Sequence, residues 1–383
     1  MKNKLGKAEY PLQRKNHLQL KIISSVLTLS VLMNLAARFV HGFADFYTEK
    51  IFRKISVPLS ALNSLIPFSV GELLIIIGII VLVIGVPVFI VLMLRCKTKR
   101  KKIARFAALF LGWVLAYVSV TETLNCFVQY QCTSFAEKYY PEHSQDKFTV
   151  SQLSEMCEYF ITQANELAEK VPRDENGVIS LPDDLGKKAA EYMQALDSDY
   201  SGFSGYYPNP KKIINSETMS RLDLQGIYFP FTMESNYNGD MFTSRVPCTV
   251  CHEFSHLKGF ISEDEAGFIA YLACSRSDDP LFMYSGTLSA LNYTMNRLFR
   301  YIDYDEKVRL SAMISDKVRS DNKFVSDEYR EKINKNKLIS GEKAAEVSKK
   351  ALNTNLKANG VSDGVQSYGR MVYLLLIYYY NYM

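Results

Sequence analysis

The sequence predicts a mainly α-helical chain in which three N-terminal transmembrane helices precede a mostly helical domain. Nearly all the long apolar runs of the 383 residues lie between positions 20 and 125. After position 125, apolar residues recur at the spacing of amphipathic helices. A hydrophobic share of 48% with 22% charged residues excludes a disordered chain. We therefore divide the chain into a membrane domain, residues 1–125, and a second domain, residues 126–383.

The predicted transmembrane helices cover about residues 22–42, 73–94 and 106–121. The second is the clearest, because it carries no charged side chain and about 20 apolar helical residues cross the ~30 Å hydrocarbon core of a bilayer. Pro87 inside it predicts a kink, which membrane helices tolerate. The lipid bilayer is therefore a predicted partner of the chain.

Lysine and arginine are concentrated on one predicted side of the membrane. Six lie in residues 1–21 and seven in residues 95–105, against three in residues 43–72. The positive-inside rule predicts a cytoplasmic N-terminus, and three crossings then predict an extracytoplasmic second domain in a multi-pass protein of the cell membrane. Because the basic clusters flank apolar spans, they favour membrane anchoring over the binding of nucleic acid.

The second domain is predicted to contain several helices and one short strand. Apolar spacing predicts a helix over 150–171, and the prolines and glycines of 172–215 predict a loop-rich connection. Residues 226–235 have the β-branched and aromatic character of a strand, which their proline confines to a sheet edge. A lysine-rich helix is predicted around 327–352. The apolar tail 367–383 predicts a packed C-terminal helix, with an interfacial helix as the alternative.

One segment carries the residues for a metal site. His252-Glu253-Phe-Ser-His256 is an HExxH motif. On a helix, residues four apart lie on one face, so both imidazoles can bind one cation. Glu253 would lie beside them, placed to take a proton from a water molecule that the metal activates. Because imidazole suits zinc, the segment predicts a Zn²⁺ site with His252 and His256 as ligands and Glu253 as the catalytic base.

The residues after the motif supply two candidates for a third ligand. Gly259 can end the first helix, and Ser262 can cap the next one, with Glu265 completing an S-x-x-E capping box. Glu263 stands three residues before Ala266 in an E-x-x-A pattern. A carboxylate that serves a capping box is not free to bind zinc. Glu263 is therefore the favoured third ligand, and Glu265 is the alternative.

HExxH followed by a helix with E-x-x-A resembles the gluzincin zinc peptidases. The longer string HEFSHLKGFISEDEAGFIAYLAC, behind three spans, is similar to an uncharacterised family of bacterial multi-pass membrane proteins, a domain of unknown function with a peptidase-like zinc motif. The resemblance extends to Ile-Pro-Phe-Ser-Val-Gly-Glu before the second span and to Pro-Phe-Thr-Met-Glu upstream of the motif. It implies a gluzincin-type, zincin-like fold, a Zn²⁺ cofactor and hydrolysis of a peptide or protein substrate. Only six residues separate His256 from Glu263, fewer than in most gluzincins, which keeps Glu265 open as the alternative.

The motif has other interpretations besides a zinc peptidase. Cys248-Thr-Val-Cys251-His252 matches the C-x-x-C-H pattern of c-type haem attachment and contains a C-x-x-C redox pattern. Haem attachment requires neither Glu253 nor His256, so we favour zinc, with the cysteines as a buried pair behind the metal helix. A non-catalytic zinc-binding sensor or structural protein is the main alternative. The simplest alternative is an amphipathic helix in which the two histidines have no function.

Weaker candidates lie outside the motif. Three tyrosines are candidate donors to an oxyanion, and one arginine is a candidate for binding a substrate carboxylate: Tyr284, Tyr293, Tyr368 and Arg370. With 25 tyrosines in the chain, core packing is the favoured interpretation for each. Cys126 and Cys132, just past the third span, are the easiest disulfide to envisage, although they could equally be free thiols.

Overall fold

The computed structural model describes residues 2–335, 341–358 and 369–383. The described chain is mainly helical and contains one small sheet. In chain order its elements are α1 (Lys2–Phe39), α2 (Phe43–Tyr47), α3 (Arg53–Ser64), α4 (Val70–Ile80), α5 (Val86–Arg95), α6 (Arg100–Glu122), α7 (Phe135–Tyr139), α8 (Val150–Lys170), α9 (Leu185–Ala195), β1 (Lys211–Lys212), α10 (Ser216–Arg221), β2 (Gly226–Phe229), β3 (Glu234–Tyr237), α11 (Val246–Leu257), α12 (Glu263–Ser275), α13 (Pro280–Leu298), α14 (Tyr304–Met313), α15 (Asp316–Asp321), α16 (Asp327–Lys335), α17 (Gly341–Ala358) and α18 (Gly369–Tyr382).

Three helical stretches are long and apolar enough to cross a membrane, namely Lys15–Phe39, Val70–Arg95 and Lys97–Gln131. The predicted number of helices able to span a membrane is therefore confirmed, although their bounds differ. The second span joins α4 to α5 through a π-helical turn at Val81–Gly85. The turn is explained by Pro87, which has no N–H to donate to the preceding turn of helix.

The third span continues well past its predicted end at residue 121. After α6 it passes through a π-helical turn, Thr123–Phe127, and a 3₁₀ turn, Gln129–Gln131. The prediction ended too early because Glu122 and the following polar residues break the apolar pattern. In the structure Thr123 and Asn125 are buried, each 2% exposed, and the helix continues because other parts of the chain cover it.

Five helices enclose the core of the second domain, namely α8, α11, α12, α13 and α18. α8 agrees with the helix predicted over 150–171 and begins with a capping box between Thr149 and Gln152. α18 buries Met371, Leu375 and Ile377. The C-terminal helix is therefore packed against the domain, as the favoured prediction stated.

The strand predicted over 226–235 is a hairpin of two strands. β2 and β3 pair antiparallel, and β1 pairs parallel with the other side of β3. The order β1-β3-β2 places β2 at an edge, as predicted. The prediction of a single strand was wrong, because the chain reverses between Phe229 and Glu234, with Met233 at a φ of 55°. Pro230 lies in this turn, where its missing N–H has no ladder bond to make.

Two other regions differ from their predictions, one by an additional helix and one by forming two helices instead of one. The stretch 172–215 is mostly loop but contains α9. The lysine-rich region predicted as one helix over 327–352 forms two described helices, α16 and α17. Residues 336–340 between these helices lie outside the described chain.

Glu234 of β3 joins the sheet to the start of the second span. Its carboxylate accepts the backbone N–H groups of Val70 and Gly71 at 3.0 and 2.7 Å, which α4 itself cannot satisfy. The ammonium group of Lys211 lies 2.5 Å from the same carboxylate and also donates to the carbonyl of Asn63. Both charged side chains are buried, at 6% and 3% exposed. This buried ion pair fastens the sheet to the second span.

Glu72 makes the reciprocal contact from the span to the domain. Its carboxylate accepts the backbone N–H groups of Ile214 and Asn215 at 2.9 and 2.8 Å, just before α10. The segments 66–72 and 230–234, which extended the family resemblance beyond the HExxH motif, thus take part in one contact region. The membrane helices and the second domain are therefore joined at this end of the second span.

Candidate metal centre

The HExxH segment forms α11 and ends in a Schellman motif. Pro247 occupies the first turn, where its missing N–H is not needed. At the other end, the N–H of Phe260 donates to the oxygen of Ser255 at 3.1 Å, and the N–H of Gly259 to that of His256 at 3.0 Å. Gly259 has a φ of +96°, which favours glycine. The prediction that Gly259 ends this helix is confirmed.

The same turn orients His256. Its Nδ1 lies 2.8 Å from the backbone oxygen of Phe260. Because a carbonyl oxygen only accepts, Nδ1 carries the proton, and Nε2 is left to bind a metal. Hydrogen bonds of this kind fix the tautomer and ring direction of metal-binding histidines.

His252, His256 and Glu263 come together between α11 and α12. The Nε2 atom of His252 lies 3.0 Å from Oε2 of Glu263, and Nε2 of His256 lies 3.9 Å from Oε1 of Glu263. One ligand atom from each residue lies within 4.8 Å of the other two. In a tetrahedral zinc site with bonds near 2.1 Å, ligand atoms lie roughly 3.4 Å apart. The donor set of two imidazoles and one carboxylate therefore fits zinc in both chemistry and size.

Glu265 is directed away from this cluster. Its carboxylate accepts the backbone N–H of Phe135 at 2.6 Å, at the first residue of α7. Ser262 makes no side-chain capping hydrogen bond, so the predicted capping box between Ser262 and Glu265 was wrong. The cause is a contact between distant parts of the chain. Glu265 accepts a hydrogen bond from the first backbone N–H of α7 instead of one at the start of its own helix. Of the two candidate glutamates, only Glu263 lies beside the histidines.

Burial and mutual charge set the protonation of the cluster. Burial lowers the pKa of His256 to about 4, which keeps its ring neutral. Burial also acts to lower the pKa of His252, but the hydrogen bond to Glu263 and the nearby carboxylates outweigh it and raise this pKa to about 9. Burial acts to raise the pKa of Glu263, but the hydrogen bond from His252 and the charges of the two histidines leave it lowered. Both shifts favour a protonated His252 beside an ionised Glu263, and a metal ion would take the place of the proton between them.

Glu253 faces the cavity beneath the start of β2. A Cβ atom added to Gly226 would lie 2.4 Å from Oε1 of Glu253, so the strand passes directly over the carboxylate. Glu253 is 4% exposed, and burial raises the pKa of its carboxyl group to about 8. A group with a pKa near neutrality is suited to both accepting and returning a proton.

A cavity of about 840 Å³ opens in front of these residues. Three further parts of the chain line it, namely β2, the middle of α13 and the end of the third span. The span contributes Glu122, Cys126 and Tyr130. A cavity of this volume is within the range of ligand-binding clefts.

The edge strand β2 presents unpaired main-chain groups. The N–H of Asn238 donates to the oxygen of Gln225 at 2.8 Å. By the alternation of an antiparallel ladder, the N–H and C=O groups of Gly226 and Tyr228 then point away from β3. Both residues line the cavity, and among the described residues no strand pairs with this side of β2. The edge can therefore accept an extended chain.

Sequence reasoning did not identify Gly226, Tyr228 or Glu122 as cavity residues. The ring of Tyr228 lies 5.8 Å from the ring of His256, and its hydroxyl donates to the backbone oxygen of Asn125 at 2.8 Å. The predicted edge strand was the one available indication for the first two residues. Glu122 lies one residue beyond the predicted end of the third span, and no sequence pattern indicated a site there.

The structure gives the weaker candidate residues different surroundings. The hydroxyl of Tyr284 donates to the carboxylate of Asp321 at 2.8 Å in the core, as the packing interpretation expected. Tyr293 lines the cavity. Arg370 donates to the carboxylate of Asp264 at 2.8 Å. Tyr368 lies outside the described residues.

The cysteines are all free thiols. Cys126 and Cys132 therefore form no disulfide. Cys251 is fully buried, with its sulfur 3.9 Å from that of Cys274. Cys248 is also buried, at 6% exposed, and its thiol is hydrogen-bonded to that of Cys274. Both cysteines are therefore buried as expected, but Cys248 lines the cavity and does not lie behind the helix.

Comparison with known proteins gives one match. A family described as proteins of unknown function (DUF3810) matches residues 47–376. The matched range includes the HExxH helix, Glu263 and both contacts that join the second span to the sheet. No curated protein and no solved structure matched the chain. Because the match covers most of its length, the chain belongs to the DUF3810 family of proteins of unknown function.

Proposed function

We propose that the protein is a membrane-anchored, zinc-dependent metallopeptidase whose second domain has a gluzincin-type, zincin-like fold. The observation that carries the proposal is the convergence of His252, His256 and Glu263, with Glu253 in the same cavity. Two histidines and a carboxylate are a donor set of catalytic zinc sites, which keep one position open. A nearby carboxylate outside the donor set is the further requirement for hydrolysis.

The proposed reaction is hydrolysis of a peptide bond. A zinc ion held by the three ligands would polarise the scissile carbonyl and make a water molecule more acidic. Glu253 accepts a proton from that water as the water oxygen attacks the carbonyl carbon. Glu253 then delivers the proton to the amine nitrogen as the carbon–nitrogen bond breaks. One water is consumed, and a carboxylic acid and an amine are formed.

The edge strand supports a peptide as the substrate class. Exposed main-chain groups on an edge strand bind extended peptides by β-augmentation, independently of side chains. Gly226 lies directly over the carboxylate of Glu253, and the ring of Tyr228 lies 5.8 Å from the ring of His256. A peptide paired with this edge would carry its backbone past both catalytic and ligand residues.

The charge distribution supports an orientation for the proposed enzyme. By the positive-inside rule, the basic residues of 1–21 and 95–105 favour a cytoplasmic location for the N-terminus and for the loop between the second and third spans. The second domain, with the metal cluster, is then extracytoplasmic. The burial of Cys251 against Cys274 disfavours the alternative of haem attached through Cys248 and Cys251.

The test is metal analysis and peptide hydrolysis with the full-length protein and its Glu253→Gln variant. We expect about one zinc per chain in both proteins, and activity lower by about 100- to 10,000-fold in the variant. Glu331→Gln, on the exposed face of α16, is the matched control and is expected to keep full activity. Absence of zinc, or an active Glu253→Gln protein, would overturn the proposal. Zinc without hydrolysis of a broad peptide library would favour the non-catalytic sensor or structural protein.

A further inference from the structure

The metal cavity is partly built from the third candidate span. Glu122 and Tyr130 of this span line the same cavity as His252 and Glu253. At ~1.5 Å per helical residue, Glu122 lies about 24 Å and Tyr130 about 36 Å from Phe106, the first apolar residue after the basic cluster. The hydrocarbon core of a bilayer is ~30 Å thick. With Phe106 at the inner face of the hydrocarbon core, the cavity lies at the outer boundary between hydrocarbon and headgroups.

The edge strand leads from Glu253 toward the third span. β2 begins with Gly226 over the carboxylate of Glu253, and the turn that follows it rests on the span. Asn125 donates to the oxygen of Pro230 at 2.6 Å, and the hydroxyl of Tyr117 donates to the oxygen of Phe231 at 2.5 Å. A chain extended along β2 would have one end at Glu253 and the other beside the membrane helix.

The surface around these span ends is apolar. Phe39 at the end of the first span and Leu65 before the second are each 80% exposed, and Leu62 is 63% exposed. Ile214, which belongs to the second domain, is 77% exposed, and its N–H is bound by Glu72 of the second span. Exposed apolar side chains on both parts of the chain, near the ends of the first and second spans, suit contact with a lipid interface.

We propose that the substrate is the membrane-proximal segment of a membrane-anchored polypeptide, cut within a few residues of its anchor. The inference rests on the proposed peptidase function. β2 spans four residues, so at ~3.3 Å per residue the scissile bond lies roughly 13 Å along the strand from the turn that rests on the third span. A segment that leaves the bilayer directly beside the third span reaches Glu253 in extended form. A segment far from its anchor would not be positioned along β2 by the anchor.

The test uses the full-length protein in phosphatidylcholine vesicles with single-span reporter peptides. Each reporter carries a randomised segment between a fluorophore and a quencher, joined to its anchor by a Gly/Ser linker of either about 5 or about 30 residues. Both reporters are membrane-bound, so enrichment at the vesicle surface is matched between them. Each linker length is made with the anchor on the N-terminal and on the C-terminal side.

We expect the short-linker reporter, in at least one anchor orientation, to be cleaved at least about tenfold faster than the long-linker reporter. Glu253→Gln is expected to abolish both cleavages. Equal cleavage of short and long linkers, still dependent on Glu253, would overturn the inference and leave the peptidase function standing. Failure of the wild-type protein to cleave any reporter or any soluble library peptide would overturn the proposed function itself, and the inference with it.

Discussion

Glu263 and Glu265 lie two positions apart on α12 and serve different neighbours. Glu263 contacts both histidines, whereas Glu265 accepts the N–H of Phe135. In an α-helix, residues two apart point to different sides, and this difference in direction separates their roles. Sequence reasoning favoured Glu263 from the E-x-x-A pattern and from a capping box that would occupy Glu265. The structure contains no such box, but it brings Glu263 beside the two histidines.

Replacing each glutamate by glutamine separates their roles. Glu263→Gln should weaken zinc binding by more than about tenfold, since it removes a charged donor of the cluster. Glu265→Gln should keep zinc, because its amide oxygen can still accept from Phe135, and lose only about 1 kcal/mol of stability. Competition with a chelator and thermal unfolding measure the two effects. Zinc retained by Glu263→Gln and lost by Glu265→Gln would show that the alternative ligand is the true one.

Gly226 is predicted to be essential for the placement of Glu253. In Gly226→Ala the new Cβ would lie 2.4 Å from Oε1 of Glu253 and 2.8 Å from Cγ2 of Thr249, so the carboxylate or the strand must move. A shift of about 1 Å at a catalytic group can cost about 100-fold in rate, and we expect that loss with zinc retained. Gly78→Ala, which meets nothing within 4 Å, is the control. Full activity in Gly226→Ala would contradict the placement of the strand over the base.

At the level of elements, the buried pair of Lys211 and Glu234 connects β1, β3 and α4. Removing one member leaves the other charge buried without compensation. Glu234→Ala should therefore lower the free energy of unfolding by roughly 3 kcal/mol or more. The matched control is Glu331→Ala in the exposed pair with Lys335, where the side chains are 69% and 72% exposed and a change below about 1 kcal/mol is expected.

Thermal unfolding of the detergent-solubilised proteins measures this difference. Equal unfolding temperatures for Glu234→Ala and Glu331→Ala would contradict the view that the pair fastens the sheet to the span. A lower unfolding temperature confined to Glu234→Ala would support it. The comparison does not depend on zinc or on activity.

The sequence predicted those elements that depend on residues within a few turns of each other. It did not predict the features that depend on contacts between distant parts of the chain. α8, α11 and the spans follow from apolar spacing and from Gly259, all of which are visible within a few turns of sequence. The turn between β2 and β3, the extension of the third span and the use of Glu265 depend on contacts with distant parts of the chain. The same division holds for the site. HExxH places His252, Glu253 and His256 by helical geometry alone, whereas Gly226 and Glu122 reach the cavity only through the fold.

For the whole molecule, the orientation in the membrane is the main testable prediction. A cysteine introduced at Lys335, whose side chain is 72% exposed, should react with an impermeant thiol reagent in intact cells, because the positive-inside rule places the second domain outside. The unmodified chain, with its own seven cysteines, is the control for background labelling. Labelling only after lysis would reverse the orientation.

Glu234 of the second domain bonds the start of the second span, and Glu72 of that span bonds the second domain. These reciprocal contacts have a consequence for the order in which the protein folds during synthesis. Synthesis proceeds from the amino end, so the second span enters the membrane long before residues 211–237 exist. Until then, the amide groups of Val70 and Gly71 depend on water, which keeps the start of this helix at the lipid surface during insertion. The later arrival of Glu234 replaces that water and unites two parts of the chain that were formed at different times. Formation of this contact would mark the moment when the apolar N-terminal helices and the second domain become one folding unit.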